Sequence, residues 1–119
     1  MIILIILISL VSCKKELNGA LEMKLGETLS NDDISLKVSA ISDSRCPTDV
    51  DCFAAGWYEI TFNATKQDSV VNFVLGSDNG LSLDSIVFNY KIEVTDLTPY
   101  PTGNDDSKDQ RVHLKVSKQ

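Results

Sequence analysis

Apolar residues recur every second position along most of this chain, and no stretch with a helical period of 3.6 competes with them. Leu21, Met23 and Leu25 form one apolar face that ends at Gly26. Ile34, Leu36 and Val38 form the next, with Ser35, Lys37 and Ser39 on the other side. Tyr58, Ile60 and Phe62 alternate with Glu59, Thr61 and Asn63. The segment from Val70 to Leu75 is nearly continuous, which predicts a strand buried on both faces. The clearest alternation sets Ile86, Phe88, Tyr90, Ile92 and Val94 against Val87, Asn89, Lys91 and Glu93. Val112, Leu114 and Val116 close the series, opposite Arg111, His113 and Lys115.

Polar, turn-forming segments separate these runs: Ser30-Asn31-Asp32-Asp33, Ser77-Asp78-Asn79-Gly80, and Pro101 through Asp106. Six strands, or seven with Leu81-Ser82-Leu83, joined by polar turns predict an all-β domain. One buried face per strand favours an antiparallel β-sandwich, with a small β-barrel as the alternative.

The first twelve residues differ from the rest. Met1 to Ser12 carry no charged side chain and are dominated by Ile and Leu. An apolar run of about 10 residues suits the h-region of a secretion signal and is too short to span a bilayer. It ends in Leu10-Val11-Ser12-Cys13, which resembles the lipobox of bacterial lipoprotein precursors. The resemblance implies a signal peptide over residues 1–12, diacylglycerol on the Cys13 sulfur, cleavage before it, and acylation of the new amino terminus. Residues 13–19 then form the lipidated Cys and a short tether, and residues 20–119 the all-β domain, of ordinary single-domain size. Lys14 follows the modified position, where Asp would imply inner-membrane retention. The resemblance therefore leans to the outer membrane of a bacterial envelope.

All 17 acidic and 11 basic residues lie beyond Cys13, so the net charge of −6 belongs to the folded part. An acidic domain lacks the electrostatic footprint of a nucleic-acid binder. It is also mildly repelled by anionic lipid, so membrane attachment falls to the acyl chains. With Cys13 assigned to lipid, Cys46 and Cys52 remain as a pair around a short loop, which an oxidising compartment would close as a disulfide. A metal site is the rival reading, but the spacing lacks a second Cys pair or a nearby His.

That loop lies in Asp43-Ser44-Arg45-Cys46-Pro47-Thr48-Asp49-Val50-Asp51-Cys52-Phe53-Ala54-Ala55-Gly56. The segment resembles a family of small, uncharacterised bacterial lipoproteins and secreted proteins with a D-S-R-C-P-x-D-V-x-C-x-W-A-G pattern. Ala54 stands where the pattern has Trp. The resemblance implies an all-β domain with a cystine loop and brings no activity. Within the loop, Pro47 fixes φ, Asp49 suits an Asx turn, and Arg45 has Asp49 and Asp51 as expected partners for its planar fork. Gly56 lets the chain enter the next strand tightly.

Catalytic chemistry is thinly represented, and no enzyme, cofactor or metal is expected. His113, the only histidine, falls on the face away from Val112 and Leu114. No Ser sits in a Gly-x-Ser-x-Gly elbow. Asn104, Asp105, Ser107 and Asp109 form an acidic stretch, yet the Gly and closing Glu of a calcium-binding EF-hand loop are missing. What remains is a non-catalytic binding or interaction module, its partner an envelope protein or a glycan. The alternative is an inhibitor that presents the Cys46–Cys52 loop to a secreted hydrolase. Two aromatic residues are candidates for the binding surface. Trp57 shares parity with Glu59 and Thr61, on the non-core face, where it either meets a partner or packs beneath the cystine loop. Tyr100 is stiffened by Pro99 and Pro101.

Overall fold

The computed structural model describes residues 16–48, 50–53, 56–78, 80–101 and 109–119; Cys13, Ala54, Asn104, Asp105 and Ser107 lie outside them. Eight strands are present among the described residues: β1 (Gly19–Met23), β2 (Thr28–Ser30), β3 (Ser35–Asp43), β4 (Tyr58–Lys66), β5 (Ser69–Gly76), β6 (Asp84–Val87), β7 (Tyr90–Thr98) and β8 (Arg111–Lys118). They form two antiparallel four-stranded sheets, ordered β1-β8-β7-β6 and β2-β3-β4-β5. Two separate sheets make a sandwich and not a closed barrel.

Alternation places the core where the sequence predicts it over most of the chain. Tyr58, Ile60, Phe62 and Ala64 of β4 face Ile92, Val94, Leu97 and Val112, Leu114, Val116 of the opposite sheet, all buried. Each buried Val, Leu, Ile or Phe among them contributes about 1.5–3 kcal/mol relative to an exposed one. Phe62 and Phe73 stack across the β4–β5 pair, ring centroids 5.3 Å apart.

The structure departs from the sequence reading in four places. The long alternating run from Ile86 is a hairpin: Val87 pairs with Tyr90, and Phe88 and Asn89 both take positive φ (52° and 66°) in the turn. A two-residue turn resets the parity, so Val87 is buried and Ile86 is 63% exposed beside Lys91. Asn tolerates that conformation; Phe88 adopts it because its ring is partly buried against the core. Second, β5 is not buried on both faces. It is the edge strand of its sheet, and Val70 and Val74 point outward.

Third, Leu25 lies beyond β1 and is exposed, while Leu29 of the unpredicted β2 is buried. Leu81-Ser82-Leu83 forms no strand. Fourth, the fold begins before residue 20. Leu17 is fully buried, its N–H donating to Ser30 O and its carbonyl accepting from Asn31 Nδ2. Leu17, within the 13–19 segment expected as a tether, therefore belongs to the folded domain.

Two β-bulges keep the long strands in phase with the core. Register shifts between Val38 and Ala40, and between Val94 and Asp96. The extra residues let Val94 and Leu97, three apart, both face inward.

Candidate functional site

The last β3–β4 pair is Asp43 with Tyr58, and the intervening chain forms the cystine loop. Its neck is tied by Ser44, whose N–H and Oγ both donate to Trp57 O at 2.9 and 2.8 Å. Gly56 passes so close that a Cβ there would overlap the Ser44 carbonyl oxygen, so only Gly fits. Above the neck, a disulfide joins Cys46 to Cys52, their Cα atoms 5.8 Å apart. Thr48 N–H donates to Pro101 O at 3.1 Å and Val50 N–H to Pro47 O at 3.2 Å.

Arg45 fastens this loop to the other sheet. Its Nε and Nη2 donate to Asp43 Oδ1 and Oδ2, both at 2.9 Å, so the residue two positions before it takes the fork in place of the expected Asp51; Asp49, the other expected partner, lies outside the described residues. The fork is planar and needs a carboxylate in its own plane, which the end of β3 supplies. Gln110 Nε2 donates to the same Asp43 Oδ2 at 2.9 Å, and Arg45 Nη2 reaches Pro99 O at 3.4 Å. The guanidinium lies over two rings, 4.6 Å from the Tyr100 centroid and 5.2 Å from that of Tyr58. Hydrogen bonding to Asp43 raises the Arg45 pKa against the desolvation that would lower it. Burial, foremost, pushes the Tyr58 hydroxyl pKa up.

The loop has a docked base and an open tip. Cys46 and Pro47 are half-buried, whereas Thr48, Val50, Asp51, Cys52 and Phe53 are exposed. Phe53, directly after the disulfide, is wholly exposed, and Val50 is 48% exposed. Sequence reasoning missed both. Their only signal is that neither belongs to an alternating run. Tyr100 sits at the base, 47% exposed on what Arg45 leaves uncovered. Trp57 is half-buried on the outer face of β4, its Nε1 donating to Glu59 Oε1 at 3.0 Å. The sequence placed it on that face, and its indole is already hydrogen-bonded there.

The site's position follows from strand direction. β1 begins at Gly19, opposite Val116, and ends at Met23, opposite Val112. The loop contacts the other end of the sandwich, beside Thr98 and Arg111. Eight residues of β8 separate the two ends by about 25 Å. A groove of about 510 Å³ lies at the N-terminal end, among Glu16, Asn18, Asp33, Tyr90 and Lys118. Its polar groups are partly engaged with one another: Tyr90 Oη donates to Asp33 Oδ2 at 3.2 Å, and Lys66 Nζ pairs with Asp33 Oδ1 at 3.2 Å.

On the outer face of the first sheet, Glu22, His113 and Thr98 form a row across β1, β8 and β7. His113 Nε2 lies 2.7 Å from Thr98 Oγ1, and Nδ1 lies 3.5 Å from Glu22 Oε1. The row lies on the open surface of a sheet. Among the described residues, no group of three or more His, Cys, Asp or Glu is placed to hold a metal ion, and no helix is long and apolar enough to cross a membrane. Comparison with family models, curated proteins and solved structures finds no match to this chain.

Proposed function

We propose that this chain is a bacterial envelope lipoprotein, anchored through lipid on Cys13 and probing outward with the Cys46–Cys52 loop as a non-catalytic binding module. The observation that carries the reading is Phe53, wholly exposed at the tip of a loop that is closed by a disulfide and fastened at its base. An aromatic ring in water forgoes burial worth about 1.5–3 kcal/mol, which a partner's pocket would recover. Rigidity at the base lowers the entropic cost of docking. Aromatic residues framed by well-packed neighbours are the usual energetic centres of interfaces.

Anchoring and presentation agree in direction. A tether leaving from Leu17 puts the membrane at one end of the sandwich and the loop at the other. The partner is an envelope protein or a glycan, met by Phe53 and Val50 at the tip and Tyr100 at the base. The open tip also favours a second reading, inhibition of a secreted hydrolase whose cleft admits the loop.

The test is a photo-reactive phenylalanine analogue at position 53 in living cells, with position 117 at the opposite end as control. An adduct formed from position 53 and not from 117 supports the module. If the adduct is a hydrolase that loses activity on titration with the protein, the inhibitor reading replaces it. Unchanged partner binding by a folded Phe53→Ala variant sinks both. Lipidation is tested apart, by labelled fatty acid: incorporation into the wild type and none into Cys13→Ala is the expected result.

A further inference from the structure

From the unprotected edge formed by β5 we infer that two copies of this chain pair through that strand, antiparallel, about a two-fold axis at Asn72. Natural sandwiches shield their edges with charge, Pro, bulges or short strands. The other three edge strands here are short: β1 has five residues, β2 three and β6 four. β5 has eight, Ser69-Val70-Val71-Asn72-Phe73-Val74-Leu75-Gly76, with no charge and no Pro.

Its free side is ready to pair. Ser77 N–H turns toward β4, to Tyr58 O, while Gly76 N–H turns away from it, to Ser82 O. Alternation along an antiparallel strand gives Val74, Asn72 and Val70 the same outward direction as Gly76. Among the described residues, no further strand lies beyond β5 in the sheet to receive them.

The side chains argue for a second copy as the occupant. A two-fold axis normal to the sheet keeps outer faces together, so paired residues must share parity. Centred on Asn72, it sets Val70 against Val74 of the second copy on the outer face, residues now 60% and 39% exposed. On the inner face it sets Val71, 37% exposed, against Phe73. Val70, Val71, Phe73 and Val74 thus each meet an apolar side chain and Asn72 meets Asn72, while Leu75, already buried in its own core, falls opposite Ser69. A strand with this symmetric pattern is self-complementary, as an isologous interface requires.

This pairing is independent of the cystine loop, which sits at one end of the sandwich and off this edge. It places the two N-termini at opposite ends of the pair, so it joins copies held on facing surfaces or released from the membrane, not two anchored side by side, and it is examined on purified protein in mild detergent. Sedimentation equilibrium of the wild type should show a concentration-dependent dimer. Val70→Lys, at an exposed position, should keep its melting temperature and weaken the dimer about tenfold or more. A short bismaleimide should join two copies of Asn72→Cys, whose Cα atoms would stand about 5.5 Å apart, and should not join copies of Asn63→Cys. A wild type that stays monomeric at high micromolar concentration overturns the inference. So does a dimer that survives Val70→Lys and leaves Asn72→Cys unlinked.

Discussion

Replacing Arg45 by Ala should destabilise the domain by about 3 kcal/mol. The side chains of Arg45 and Asp43 are each only 9% exposed, so the change leaves a carboxylate largely out of water without its counter-ion. Removing one partner of a buried pair costs about 3–5 kcal/mol. The lower end applies here because Gln110 Nε2 still donates to Asp43 and the pair lies near the rim. Loss of the contacts to the Tyr58 and Tyr100 rings belongs to the same total, at about 0.5–1 kcal/mol each in a partly exposed setting. Arg45→Lys keeps the charge but not the two parallel bonds or the flat stack, and should cost about 1–2 kcal/mol.

Urea unfolding followed by Trp57 fluorescence gives these differences directly. For a domain near 100 residues, each kcal/mol moves the melting temperature by about 4–8 °C. Arg45→Ala should therefore melt at least about 12 °C lower. A double-mutant cycle with Asp43→Asn isolates the pair and should show coupling of about 1.5 kcal/mol or more. Loss of under about 1 kcal/mol in Arg45→Ala, or additive single effects, would refute the assignment of Arg45 as the fastening between sheets.

Reducing the Cys46–Cys52 disulfide should lower stability by about 2 kcal/mol, the chain-entropy value for so short a ring, and leave the fold intact by circular dichroism. Gly56→Ala should cost more than reduction, because its Cβ meets the backbone carbonyl of Ser44 and no side chain can yield; a near-wild-type denaturant midpoint would contradict this. Asp33 has a folded-state pKa below its ordinary value, chiefly because Lys66 hydrogen-bonds its carboxylate. Its stabilising effect is thus complete above the unfolded value and fades as pH falls through the folded one. Asp33→Asn should flatten the acid limb of the stability profile below about pH 4 and leave the profile's shape unchanged above about pH 5.

Where one face of a strand is buried and nothing interrupts it, as in β4 and β8, the order of residues alone located the core. The misplacements have distinct physical sources. Phe88-Asn89 makes a turn inside an apolar alternation, so the hairpin looks like one long strand; only the positive φ of both residues reveals it. Val70 to Leu75 has the composition of an interior strand, and edge position is a property of sheet order, which no local pattern encodes. β2 has three residues and a single buried side chain, Leu29, too few to show a period. Each bulge inserts one residue, invisible until Val94 and Leu97 are seen to share a face.

The candidate site divides along similar lines. Two cysteines six positions apart announced the ring, and Gly56 announced a close approach, because both constraints are local. The partner of Arg45 was not decidable from three nearby aspartates, since choosing Asp43 requires knowing where β3 ends and where Tyr100 returns from the other sheet. Asp43, Ser44, Arg45 and Gly56 look most like a functional signature, yet all of them are spent inside the molecule: an ion pair, a neck of hydrogen bonds and a backbone contact hold the loop in place. Groups already satisfied by one another have little left to offer a partner. The side chains with unspent apolar surface are Val50, itself a position of the motif, and Phe53, so recognition at this loop should follow their shape while the rest of the motif sets their position.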